Sequence, residues 1–108
     1  MSYISAHVLD ASAGVPATGV SVRLTDADGS TVAESRTDAD GRVGELGPER
    51  LDPGVYQVTF GSGDYFAWRR VDSFHPQVSV LFTVAADQAH YHIPLLLSPY
   101  SYTTYRGS

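Results

Sequence analysis

Hydrophobic and polar residues alternate along most of the chain, which is the pattern of half-buried β-strands. In residues 3–10, Ile4, Ala6 and Val8 lie on one face and the intervening residues lie on the other. The clearest alternation covers residues 78–84, where valine and phenylalanine alternate with serine, leucine and threonine. This periodicity predicts a protein built almost entirely from β-strands.

The alternation predicts seven or eight strands separated by turns rich in glycine, proline and aspartate. The main predicted strands cover residues 3–10, 20–25, 31–37, 54–60, 78–84, 90–97 and 101–106. Residues 64–72 break the pattern, because Phe66, Arg69 and Arg70 stand at helical spacing and predict one or two turns of helix. Short strands at regular spacing with one short helix predict an all-β sandwich, a single domain over residues 1–108.

Pro94 interrupts the predicted strand over residues 90–97. Proline has no backbone N–H to donate to a neighbouring strand. We therefore expect its nitrogen to face an unpaired edge or a β-bulge.

Composition and charge exclude several classes of protein. The 108-residue chain has a net charge of −5, and no stretch concentrates positive charge, so we expect no nucleic-acid partner. The absence of cysteine excludes a disulfide framework, a thiolate nucleophile and a zinc–thiolate site. The sequence has neither an apolar run of about 18 residues nor a charged start followed by an apolar run. We therefore expect no membrane span, no signal peptide and a cytoplasmic location.

Three of the four histidines are predicted to lie on the outer faces of strands. Because Val8 is predicted to face the core, the preceding residue His7 points outward. Because Ile93 is predicted to face the core, His90 and His92 point outward. On an isolated sandwich such residues are simply solvated. On a surface that meets another subunit they could form a shared site, because the imidazole pKa of about 6.5 permits acid–base work near neutrality.

Arg42 follows the glycine-containing turn at residues 38–41 and could stabilise an oxyanion or bind an anionic substrate, although a solvated turn residue has the same pattern. A zinc site is an alternative reading, because His90 and His92 with His7 could supply three nitrogen ligands. No carboxylate stands at a recognisable spacing from them, so we predict no metal site.

Three motifs lie near the start, the middle and the end of the chain: Ile4–Asp10, Thr37–Arg42 and His90–Ser108. Together they resemble the signatures of the 5-hydroxyisourate hydrolases, also called transthyretin-related proteins. The Asp-Gly-Arg turn is similar to that of many prealbumin-like sandwiches and indicates the fold. The ending Tyr105-Arg106-Gly107-Ser108 is the more specific signal, because it is lacking in the hormone carrier transthyretin.

The resemblance implies a transthyretin/prealbumin-like β-sandwich that works as a homotetramer, a dimer of dimers with active sites in the cleft between dimers. It implies hydrolysis of the cyclic amide of 5-hydroxyisourate, the product of urate oxidation in purine catabolism, to 2-oxo-4-hydroxy-4-carboxy-5-ureidoimidazoline. It implies no cofactor.

The resemblance also implies roles for individual residues. The implied catalytic residues are His7, Arg42, His92 and Ser108. The implied substrate-binding residues are His7, Arg42, Tyr105, Arg106 and Gly107. Either histidine could activate the water, and a covalent role for the terminal serine is a weaker alternative because it requires direct contact with a histidine.

Two other functions are compatible with this fold. A transthyretin-like carrier would bind an aromatic small molecule without turning it over. A structural module detached from a larger protein would be expected as a monomer, whereas the implied active site requires a subunit interface.

Overall fold

The computed structural model describes residues 2–108 and arranges its strands in two sheets around one core. The elements in chain order are β1 (Ile4–Asp10), β2 (Val15–Pro16), β3 (Ser21–Thr25), β4 (Thr31–Arg36), β5 (Arg42–Val43), β6 (Gly54–Phe60), α1 (Ser62–Trp68), β7 (Val78–Val84), β8 (Tyr91–Leu97) and β9 (Tyr102–Thr104). The predicted all-β sandwich with one short helix is confirmed. No helix among residues 2–108 is long and apolar enough to cross a membrane.

One sheet has the strand order β2-β1-β8-β9, with β5 also pairing β1, and the other has the order β4-β3-β6-β7. The pairing of β1 with β8 is parallel, and it places Ser5 opposite His92 and His7 opposite Pro94. The other strand pairs are antiparallel. The parallel pair therefore joins two segments that lie far apart in the sequence.

The core forms where the inward faces of the two sheets meet. The predicted inward positions of β1 and β8 are buried: Ile4, Ala6, Val8, Tyr91, Ile93, Leu95 and Leu97. The opposite sheet contributes the alternate residues of β3 and β6, again as predicted for β6: Val22, Leu24, Tyr56, Val58 and Phe60. Burial of this apolar surface is the main stabilising term of the fold.

The structure corrects the sequence prediction at several boundaries. β2 lies between the predicted strands at residues 3–10 and 20–25, and β5 follows the turn at residues 38–41. Neither was predicted, because two-residue strands are too short to show a period. The last strand ends at Thr104, two residues earlier than predicted. The helix covers Ser62–Trp68 rather than residues 64–72. Its N-cap residue is Gly61, which has no side chain that could mark the start of the helix in the sequence. Arg70 has a φ of 61°, a left-handed conformation that follows the end of the helix.

Pro94 lies in an inner strand, because β8 has neighbours on both sides. Its nitrogen points away from β1, since the N–H groups of alternate residues such as Tyr91 face that strand. On the other side, pairing with β9 begins only at Leu95, and the next contact is an isolated bridge from His92 to Gly107. The nitrogen of Pro94 therefore faces a gap in the pairing between β8 and the C-terminal segment, inside the sheet and not at its outer edge.

The end of β1 is anchored by a buried carboxylate, Asp10, which is 1% exposed. It accepts hydrogen bonds from the backbone and hydroxyl of Ser12, from the backbone of Ala13 and from the Tyr65 hydroxyl, and it lies 3.4 Å from the Arg69 guanidinium. Burial opposes ionisation, but these hydrogen bonds and the nearby positive charge outweigh it and hold the pKa of Asp10 below its usual value. The carboxylate thus ties α1 to the strand that carries His7.

Candidate active site

An open cavity of about 370 Å³ lies where β1, β5, β8 and the C-terminal segment meet. Its walls combine imidazole, guanidinium and hydroxyl groups with small apolar residues. The lining residues are Ser5, Ala6, Arg42, Val43, Gly44, His90, His92 and Ser108. The cavity therefore brings together three of the four predicted catalytic residues, Arg42, His92 and Ser108.

His7 and His92 lie next to each other on the outward face of the parallel strand pair. Strand alternation turns both side chains away from the core, and the register separates them by two positions. Their ring centroids are 6.5 Å apart, with an interplanar angle of 37°. One water molecule or one substrate group could contact both rings.

The turn before β5 presents Arg42 to this face. A carboxylate oxygen of Asp38 accepts the backbone N–H groups of Asp40 and Arg42, each at 2.9 Å. The hydrogen bond from the Arg42 backbone has the largest effect on the pKa of Asp38. Together with the bond from Asp40 and the charges of Arg42 and His7, it outweighs desolvation and lowers that pKa. The turn is thus fixed by a side chain that stays ionised near neutrality.

Gly41 lets this turn approach β1 closely. Its φ of 76° lies in the left-handed region, and a Cβ there would collide with the carbonyl oxygen of Val8. The Gly41 carbonyl accepts the N–H of Val8 at 2.7 Å, and the short strand β5 then pairs Arg42 with His7. A glycine-dependent contact therefore sets the position of the arginine relative to the histidine.

His7 is itself held by the same turn. Its Nε2 lies 3.0 Å from the carbonyl oxygen of Asp40. A carbonyl oxygen only accepts, so Nε2 carries the proton in this hydrogen bond. In neutral His7 the unprotonated nitrogen is then Nδ1.

Ser5 was assigned no role from the sequence, yet its hydroxyl contacts two histidines. The Oγ atom lies 2.9 Å from Nε2 of His90 and 2.8 Å from Nδ1 of His92. Alternation placed Ser5 on the same face as His7, but only the parallel register brings it opposite His92. One nitrogen of each ring thus faces the Ser5 hydroxyl. Among residues 2–108, no group of three or more potential ligand residues could hold a metal ion.

The surroundings of His92 favour its neutral form. Burial, followed by the positive charge of Arg42 and by His7 and His90, lowers the pKa of His92 below its usual value. A neutral imidazole at physiological pH can accept a proton from water. The arrangement can therefore supply a base beside a fixed positive charge.

The C-terminal segment is divided between two sides of the sheet. Gly107 donates its backbone N–H to the carbonyl oxygen of His92 at 2.9 Å, and Ser108 lines the cavity. Tyr105 and Arg106 instead line a separate apolar cavity near Tyr91, on the other face of β8. Within one chain the structure does not bring these two predicted substrate-binding residues to the histidines.

The sequence and the fold match known proteins along nearly the whole chain. The HIUase/Transthyretin family matches residues 4–107. The "5-hydroxyisourate hydrolase" of Salmonella dublin is 44% identical over 109 residues, which cover 97% of this chain and 80% of that protein.

Solved structures of two differently named proteins share the architecture. The 5-hydroxyisourate hydrolase of Klebsiella pneumoniae superposes with a TM-score of 0.90 at 36% identity, covering 97% of this chain and 98% of that one. Transthyretin from Sparus aurata superposes with a TM-score of 0.91 at 34% identity, covering 99% and 97%. The backbone alone therefore does not distinguish a hydrolase from a transthyretin, and the distinction depends on the side chains in the cavity.

Proposed function

The chain belongs to the HIUase/Transthyretin family, and from this we propose that it is a 5-hydroxyisourate hydrolase. The observation that carries the proposal is the meeting of His92 and Arg42 at one cavity with His7 beside them. A carrier protein has no need of a base held neutral beside a guanidinium. Nearly full-length relatives that bear the hydrolase name support the same conclusion.

The proposed reaction is hydrolysis of the cyclic amide of 5-hydroxyisourate to 2-oxo-4-hydroxy-4-carboxy-5-ureidoimidazoline. Water adds to the amide carbonyl carbon, the ring C–N bond breaks, and the leaving nitrogen takes up a proton. The carbonyl carbon ends as a carboxylate. Such a step needs a positioned water, a base and a donor for the developing oxyanion.

We assign His92 as the base and Arg42 as the oxyanion donor. The lowered pKa of His92 keeps its imidazole able to accept the proton of water near neutrality. The Arg42 guanidinium offers several N–H donors and carries a positive charge. His7, whose proton is held on Nε2 by Asp40, would orient the water or the substrate through its other nitrogen.

We further propose that the working form is a homotetramer whose subunit interface covers this cavity. The cavity is open to solvent in one chain, and several large apolar side chains are exposed on the same molecule: Leu81, Tyr100, Tyr102 and Tyr105. A two-fold axis beside the cavity would present the cavity to its own copy, and the exposed apolar side chains offer further surface for contacts between subunits. Size-exclusion chromatography with light scattering gives the mass directly, and a monomer would contradict this arrangement.

The function is tested by generating 5-hydroxyisourate in situ from urate with urate oxidase and following its ultraviolet absorbance. We expect decay faster than the spontaneous rate, and the same acceleration after treatment with a chelator. Decay at the spontaneous rate in the presence of folded protein would contradict the proposal.

A transthyretin-like carrier is the second candidate, because the Sparus aurata structure is equally similar in backbone. That function predicts stoichiometric binding of an aromatic ligand with no catalysis. The same absorbance assay separates the two, since only an enzyme accelerates decay at protein concentrations far below that of the substrate.

A further inference from the structure

The hydroxyl of Ser5 connects two imidazole rings, that of His92 on the neighbouring strand β8 and that of His90 just before this strand. It lies 2.8 Å from Nδ1 of His92 and 2.9 Å from Nε2 of His90. The second nitrogen of His90, Nδ1, lies 3.2 Å from the backbone carbonyl oxygen of Ser2. These three hydrogen bonds form one chain from the backbone of Ser2 to the ring of His92.

The direction of each hydrogen bond follows from the atoms that cannot donate. The Ser2 carbonyl only accepts, so Nδ1 of neutral His90 carries a proton and Nε2 is an acceptor. The single proton of the Ser5 hydroxyl then goes to His90. The Ser5 oxygen is left as an acceptor toward His92, whose Nδ1 must donate.

Resting on the proposed function, we propose that Ser5, supported by His90, is a positioning residue that sets the tautomer of the catalytic base. It holds the proton of neutral His92 on Nδ1 and leaves Nε2 as the nitrogen that takes the proton from water. In the other tautomer the same ring would present an N–H group at Nε2 and could not act as a base there.

The fold keeps this hydroxyl in place. Ser5 lies in the middle of the parallel pairing of β1 with β8 and directly opposite His92 in the register. Strand alternation turns its side chain to the same face as both rings. The other ionisable or charged groups that act on His92 are His7 on β1 and Arg42 on β5, and neither contacts the Ser5 hydroxyl.

The tautomer can be measured without substrate by NMR of the ¹⁵N-labelled protein, at a pH where His92 is neutral. Long-range ¹H–¹⁵N spectra distinguish the protonated from the unprotonated ring nitrogen. We expect the proton of His92 on Nδ1 in the native protein, and a mixture or reversal in Ser5→Ala. His90→Ala should shift the balance in the same direction, because the freed serine hydroxyl can then donate to His92.

The kinetic consequence is tested with Ser5→Ala, Ser5→Thr and the control Ser79→Ala, which removes an exposed hydroxyl from β7. We expect Ser5→Ala to lower kcat about ten- to a hundredfold with little change in KM, since loss of base function removes a factor of this order or more. Ser5→Thr keeps the hydroxyl and should restore most of kcat.

Two results would overturn the inference. One is a native His92 with its proton on Nε2. The other is a Ser5→Ala protein that keeps the native tautomer of His92, whatever its kcat. If the native protein does not accelerate the decay of 5-hydroxyisourate at all, the proposed function fails, whereas the spectra still report whether Ser5 sets the tautomer.

Discussion

The backbone of Gly107 lies directly against the ring of His92. Its N–H donates to the His92 carbonyl oxygen at 2.9 Å, and a Cβ built at Gly107 would come within 2.5 Å of the His92 Cδ2 atom. The C-terminal segment thus packs its backbone against the imidazole, with no side chain of its own at this point. A glycine is required here by contact and not by an unusual φ.

We expect Gly107→Ala to displace the ring of His92 and to lower kcat by at least about tenfold, because catalytic groups misplaced by about 1 Å can lose a hundredfold in rate. Stability should change little, since the residue lies at the margin of the sheet. Steady-state assays together with thermal unfolding separate the two effects. The matched control is Ser101→Ala, an exposed substitution in the same segment, and equal activity of both variants would contradict this role.

The activity should depend on pH through His92. In the proposed mechanism its neutral form is the active one, and burial together with the charge of Arg42 lowers its pKa. The acidic limb of kcat/KM should therefore lie below the usual histidine pKa of about 6.5. In Arg42→Gln the positive charge is gone, so the midpoint should move to higher pH while the maximal rate falls. Arg23→Gln, an exposed arginine on β3, should leave the midpoint where it is.

Replacement of either site histidine should reduce turnover by different routes. We expect His92→Ala to lower kcat about a hundredfold or more, which is the usual contribution of a general base. His7→Ala should also lower kcat/KM, because the group that orients water or substrate is lost. The control is His75→Ala, whose ring packs between Phe74 and Tyr102 outside the cavity. A His92→Ala protein with native kcat would remove this residue from the mechanism.

Tyr65→Phe should destabilise the fold without a direct effect on chemistry. The substitution deletes the hydroxyl that donates to the buried Asp10 at 2.8 Å and leaves the carboxylate short of one donor, at a cost of roughly 1–3 kcal/mol. Urea unfolding measures the difference, and Tyr100→Phe, which alters an exposed ring, serves as the control.

The stability effect of Tyr65→Phe should itself depend on pH. The folded state lowers the pKa of Asp10 from its ordinary value of 3.8, so the stabilisation is fully present above that value. It is lost as the pH falls through the lower pKa of the folded protein. An effect of equal size at pH 7 and in strong acid would show that the hydroxyl does not act through the carboxylate.

Alternation was enough to predict the two strands that carry His7 and His92. The faces of β1 and β8 followed from the positions of Ile4 and Ile93, because a strand reverses its side chains at each residue. The outward direction of His7 and His92 came from the same period. These predictions depend only on local geometry, which the sequence contains.

The contacts between strands could not be predicted in that way. Nothing in the local sequence states that β1 and β8 are parallel or that Ser5 stands opposite His92. The two-residue strand at Arg42 is too short to show a period, and its position depends on the close approach of Gly41 to β1. The contacts on which the role proposed for Ser5 rests therefore became visible only with the register.

The parallel pairing of β1 with β8 has a consequence for how the protein folds. Ser5 and His92, whose side chains share a hydrogen bond, are separated by 87 positions in the chain. Hairpins such as β3–β4 and β6–β7 close much shorter loops and can form early, whereas distant pairings pay the larger loop-closure entropy and form slowly. During synthesis the edge of β1 that pairs with β8 must stay unpaired until residues 91–97 have been made. The alignment of Ser5 with His92 is thus among the later contacts that the chain forms.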